Sequence, residues 1–256
     1  MTKKLTKLVL SAVIAVALGG SASAVTSFDQ NVTPDVIFGS GNANGGFTVD
    51  TDNGVELGLR AKLRHNAVGA PENTFNSNGD GTYTFKSGVA PTQSFPTAEW
   101  SFEWSVNSNA DGTSSYDLDD LTYELSLDSD PGPGTSLITF DPINGFNPGT
   151  GAVLWDHSIG DNSTTSATDS IAANAGDYAT LIANNNVAQN SWKPHWFIAG
   201  FDPTVNGEYT ISLTAFDGSV AVASSSIIVN AVPEPATFAL GGLALLGVAC
   251  GRRRRA

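Results

Sequence analysis

Two loops carry the spacing a hard cation would use. Asn76-Ser77-Asn78-Gly79-Asp80-Gly81 and Asn107-Ser108-Asn109-Ala110-Asp111-Gly112 each set side-chain oxygens at alternate positions ahead of a glycine. Calcium is held by oxygens so spaced, at positions one, three and five of a loop. The residues at position twelve, Ser87 and Leu118, cannot supply the bidentate carboxylate that completes such a loop. Turn formation explains the same residues, because Asn-Gly and Asp-Gly clusters cap hairpins. Calcium is thus the one candidate cofactor, with Asn76, Asn78, Asp80, Asn107, Asn109 and Asp111 as its ligands and Asp117, Asp119, Asp120, Asp128 and Asp130 as nearby acids.

Catalytic groupings are sparse. His65, His157 and His195 are scattered, and no Gly-x-Ser-x-Gly elbow, His-Glu-x-x-His pair or phosphate-cradling glycine loop occurs. Glu99 and Glu103 share one face of an extended segment, but four residues at ~3.3 Å each set them ~13 Å apart, wider than a glycosidase pair. The expectation is a chain that is not an enzyme and has no catalytic residues. Trp192-Lys193-Pro194-His195-Trp196-Phe197 gathers aromatics beside two basic groups. Exposed tryptophans stack on sugars and buried ones fill cores, so an extracellular polysaccharide is a candidate partner here.

The ends of the chain carry a different chemistry. Val232-Pro233-Glu234-Pro235 cannot be helical, since each proline fixes φ and biases the preceding residue to extended backbone. A charge-free apolar run follows, and Arg252, Arg253, Arg254 and Arg255 close it. As a helix, residues 236–251 span ~24 Å at ~1.5 Å per residue. That is slightly short for a ~30 Å hydrocarbon core. Arginine stems extending to the headgroups make up the difference, and their charge holds this end on the cytoplasmic side.

This order of features resembles the sorting signal of PEP-CTERM proteins. The resemblance covers about a tenth of the chain. It implies recognition of Val232, Pro233, Glu234 and Pro235 by an exosortase, a membrane-embedded thiol transpeptidase. It also implies a transient anchor ending in a stop signal at Arg252 to Arg255, and delivery to the surface or extracellular polymer matrix of a Gram-negative bacterium. No Leu-Pro-x-Thr-Gly, the alternative sortase signal, is present.

The N-terminus agrees. Lys3, Lys4 and Lys7 precede an apolar stretch from Leu8 to Leu18, and Ala22-Ser23-Ala24 fits the small-residue cleavage pattern of a secretory signal peptide. Residues 1–24 therefore read as a signal helix removed after Ala24, residues 25–230 as the exported body, and residues 231–256 as the sorting tail. Between Val25 and Gly251 five basic residues face all 25 acids, a net charge of −20. So acidic a body repels phosphate backbones, which excludes nucleic acid as a partner. Cys250, the single cysteine, lies in the apolar run, so no disulfide is available within the chain.

The elements that must position these groups are strands. Trp100, Phe102, Trp104 and Val106 alternate with Glu99, Ser101, Glu103 and Ser105, which predicts one buried and one wet face. Leu121, Tyr123, Leu125 and Leu127 repeat the pattern, as do Tyr209, Ile211, Leu213 and Ala215. Asp217-Gly218 predicts a turn into a returning strand from Val220 to Val229, a closing hairpin like that of immunoglobulin-like sandwiches. Shorter strands are predicted at Phe47–Asp50, Val55–Lys62, Thr82–Lys86, Leu137–Phe140, Val153–Trp155 and Trp196–Ala199, and a helix over Asp177–Asn186. The predicted fold is all-β, an antiparallel β-sandwich (immunoglobulin-like or jelly-roll-like), with the N-terminal signal helix and a C-terminal transmembrane helix.

Overall fold

The computed structural model describes residues 26–153 and 156–234. The signal helix with Ala22 and Ala24, Pro235, the anchor 236–251 and Arg252 to Arg255 lie outside the described residues. Among the described residues no helix is long and apolar enough to cross a membrane.

Among the described residues eleven strands form two sheets. In chain order they are β1 (Ser27–Gln30), β2 (Phe47–Asp52), β3 (Val55–Leu63), β4 (Thr82–Lys86), β5 (Trp100–Asn107) and β6 (Thr122–Asp128). They continue as β7 (Leu137–Phe140), β8 (Ser158–Gly160), β9 (Val187–Trp192), β10 (Gly207–Asp217) and β11 (Val220–Val232). One sheet runs β1-β2-β3-β5-β9-β8 and the other β4-β11-β10-β6-β7. All pairings are antiparallel except β4 with β11, which is parallel. Helix α1 (Ala175–Ile182) starts at Asn174, whose Oδ1 accepts from the Gly176 and Asp177 amides, and ends four residues before the predicted limit.

The two-sheet architecture follows the alternation read from sequence. Tyr209, Ile211, Leu213 and Ala215 point into the core between the sheets, and their neighbours are partly exposed. The closing hairpin pairs Asp217 with Val220, so the turn is Gly218–Ser219, one residue later than predicted. Gly218 takes a φ of +59° there, which glycine adopts without strain. Trp196–Ala199 is not a strand: Pro194 opens a 3-10 turn over Pro194–Trp196, because proline lacks the N–H a ladder needs. Val153 makes only an isolated bridge to Phe146, and Leu154 and Trp155 lie outside the described residues. Strands β1, β8 and β9 have no counterpart among the predicted strands; β1 and β8 are short, and the polar centre of β9, Gln189-Asn190-Ser191, hides its alternation.

The main correction concerns β5. Its inner face packs Trp100, Phe102, Trp104 and Val106 into the core, as expected. Its other face is buried too, with Ser101, Glu103, Ser105 and Asn107 all at or below 1% exposure. Residues 32–46 fold across this sheet and seal it with Val32, Val36, Ile37 and Phe38. The polar side chains beneath are the rail that holds this strap. Glu56 on β3 accepts from the amide and hydroxyl of Thr33 at 2.6 and 3.1 Å. Gln189 accepts from the Ile37 amide at 2.8 Å and donates to the Asp35 carbonyl at 2.8 Å. Arg60 Nη1 donates to the carbonyls of Ala43 and Gly45, and Lys62 donates to Asn42 Oδ1.

Candidate functional site

The sorting motif grows directly out of a strand. Val232 is the last residue of β11 and lies opposite Lys86 at the end of β4. Its carbonyl accepts from the Ser87 amide at 2.8 Å. Two residues on, the Glu234 carboxylate pairs with Lys86 Nζ at 3.0 Å, with both side chains more than half exposed. That partner raises the Lys86 amine above its usual range. A cavity of about 700 Å³ opens beside this junction, bordered by Leu63, Phe85, Lys86, Glu99, Val232 and Glu234. Glu99 is half-buried there, its Oε1 accepting from the Lys86 amide, and burial raises its carboxyl. No flexible spacer separates the sheet from Pro233-Glu234.

Among the described residues no hydrogen bond joins the two oxygen-rich loops, and their side chains bond to nearby segments of the chain instead. Asp80 Oδ1 accepts from the amide and hydroxyl of Thr82, and Asp111 Oδ1 does the same with Thr113. These donors hold both carboxyls below the usual range. Asn78 Nδ2 donates to the Thr82 and Thr84 hydroxyls. The Asn76 carbonyl accepts from the Thr84 amide, which makes the first loop the entry to β4. Asn107 Nδ2 donates to the Thr33 carbonyl, so this residue is part of the strap's rail. Asn109 Oδ1 is buried without a hydrogen-bond partner among the described residues. Among the described residues no group of three His, Cys, Asp or Glu side chains is arranged to hold a metal.

The aromatic segment divides between core and surface. Trp192 is 1% exposed and packs on Trp104 with ring centres 5.2 Å apart, on Phe197 at 4.7 Å and on His157 at 5.6 Å. His157 is itself core: Nε2 donates to the Pro142 carbonyl at 2.7 Å and Nδ1 accepts from Asn190 Nδ2 at 3.2 Å. Trp196 is 43% exposed, and Lys193 Nζ lies 5.6 Å from its ring centre. An open cavity of about 370 Å³ lies against it, lined by Asn147, Thr150, Asp156, His195 and Phe197.

Around this corner sits a cationic group that sequence reasoning missed in part. Arg64 follows β3, its amide and that of His65 both donating to the Glu99 carbonyl. His65 Nδ1 donates to the Gly69 carbonyl at 3.3 Å, while His65 Nε2 and His195 Nδ1 are buried without partners among the described residues. Burial lowers both histidines, and Lys193 adds to the effect in each case. Below the unfolded-chain value of about 6.5 the unfolded state therefore binds protons that the folded state resists, and stability falls as pH drops. Thermal unfolding between pH 7 and 5 is expected to show this slope, and a His65→Gln, His195→Gln variant to flatten it. An equal slope in parent and variant removes these histidines as its source.

A two-sheet body continuous with a proline-bounded, acid-bearing C-terminal segment defines the class: a β-sandwich protein with a sorting tail. Residues 231–255 match the family model of the PEP-CTERM protein-sorting motif. The tail is thus a PEP-CTERM sorting signal, and it implies export and exosortase recognition. The matched signal and the last strand overlap at Ala231 and Val232. No curated protein and no solved structure matches the chain.

Proposed function

We propose that this protein is a non-catalytic module of the cell surface or extracellular matrix, delivered there after its signal peptide and its membrane handle are removed. The observation that carries this reading is the overlap of sorting signal and last strand: the folded sandwich is itself what the transpeptidase receives. Support for a non-catalytic body comes from the structural use of several of its buried ionisable groups. Arg60, Lys62 and Glu103 hold one another, Glu56 holds the strap, and His157 is hydrogen-bonded in the core. A second reading, a polysaccharide hydrolase, draws on Glu72, Glu99 and Glu234 lining one cavity. Each already accepts from a donor: Glu72 from Asn66, Glu99 from the Lys86 amide, Glu234 from Lys86 Nζ.

Intact-mass measurement on protein taken from its native surface tests the proposal. The expected species starts at Val25 and ends near Pro235. A full-length chain with Met1 in the cytoplasm overturns it.

A further inference from the structure

Only five basic side chains serve a body of net charge −20. Arg60 and Lys62 are committed to Glu103, and Lys86 to Glu234. Arg64 and Lys193 form no ion pair among the described residues, although carboxylates outnumber cations fivefold. These two follow the strands that flank β5, and Lys193 feels the charge of Arg64. Lys62 pairs with Ser101, and Glu103 with Ser191, whose hydroxyl lies 3.2 Å from that of Ser101. Alternation then carries Arg64, two residues beyond Lys62, and Lys193, two beyond Ser191, onto this same face, flanking the start of β5. The strap covers the other end of that face; here Arg64 and Lys193 are partly open to solvent.

We propose that Trp196, Lys193 and Arg64 form a subsite for a carboxylated sugar, a hexuronate residue of an extracellular polysaccharide, which rests on the surface-matrix reading above. The exposed indole offers an apolar face for the C–H side of a pyranose ring. The net charge of the body repels polyanions at long range, where salt screens it. At contact distance these two cations, without carboxylate partners among the described residues, offer charge-assisted hydrogen bonds to the sugar's carboxylate. Asn147 and Asp156, which line the adjoining cavity, meet hydroxyl groups. The acid sets the orientation, since a uronate must turn its charge away from Asp156 and toward Lys193 and Arg64. Burial, and after it the charge of Arg64, lowers the Lys193 amine, and such a guest relieves the repulsion between the two cations.

The test uses the full chain in detergent and follows tryptophan fluorescence with a galacturonate tetrasaccharide, a neutral tetrasaccharide of the same linkage and a sulfated one. The galacturonate is expected to bind at least about tenfold more tightly than the neutral sugar, a difference of ~1.4 kcal/mol. Arg64→Gln with Lys193→Gln erases that preference, Arg64→Lys with Lys193→Arg keeps it, and Trp196→Ala weakens both sugars. Equal binding of charged and neutral sugars overturns the inference, as does a preference that survives the Gln pair or a sulfated sugar that binds as well as the uronate. Loss of uronate selectivity in a protein still found processed at the surface sinks this site alone. A cytoplasmic, unprocessed chain sinks the reading beneath it.

Discussion

Arg60→Ala is expected to lower the unfolding free energy by about 3–5 kcal/mol, the cost of stranding a buried charge. Arg60 is fully buried and Glu103 is 1% exposed. The guanidinium donates from Nε to Glu103 Oε2 at 2.6 Å, lies between the rings of Phe47 and Phe75, and reaches the carbonyls of Ala43 and Gly45. Removing it leaves Glu103 facing only Lys62, at 3.8 Å, and frees the strap at two backbone carbonyls. The pair Arg60→Leu with Glu103→Leu is expected to cost less than Arg60→Ala alone, because no lone charge remains in the interior. Urea unfolding followed by tryptophan fluorescence measures both. A loss below about 1 kcal/mol for Arg60→Ala, the range of an exposed pair, means that this charge pair does not hold the strap.

Neutralising Arg252 to Arg255 is expected to block maturation, so that the precursor predominates and the processed species nearly disappears. The expectation rests on residue order alone: as a helix, residues 236–251 would span ~24 Å against a ~30 Å bilayer core, and the four arginines would supply both the missing reach and the orientation. Lys86→Ala provides the contrast. It removes only the exposed ion pair with Glu234, worth roughly 0–1 kcal/mol, and is expected to leave maturation intact. Immunoblotting of membrane and surface fractions reads both variants. Normal processing without the four arginines removes the stop-signal role from that cluster.

Much of the fold was legible because the sandwich buries one face of many strands. The bounds of β4 and β7 were read directly, and so was the inward set Leu121, Tyr123, Leu125 and Leu127 in and just before β6. Alternation fails where both faces are covered: Glu103, Ser105 and Gln189 have the chemistry of a wet face and are buried against residues more than forty positions away. The same limit applied to the candidate site. Trp192 and Trp196 are indistinguishable by spacing, yet one fills the core and the other faces solvent. Arg64 shares no motif with Lys193; the only signal was its scarcity among 25 acids.

The sorting tail, and the signal peptide proposed at the other end, rest on linear chemistry: prolines, an apolar run and arginines in the one; basic, apolar and small residues in the other. Machinery reads such segments as extended or helical peptides, so their residue order is enough. Which polar groups meet water depends on long-range packing. The strap's approach to β3, β5 and β9, and the placing of Arg64 and Lys193 just after the two strands that flank β5, depend on pairing between distant segments. Such contacts leave no local periodicity, because the burial that selects them exists only once the sheet has formed.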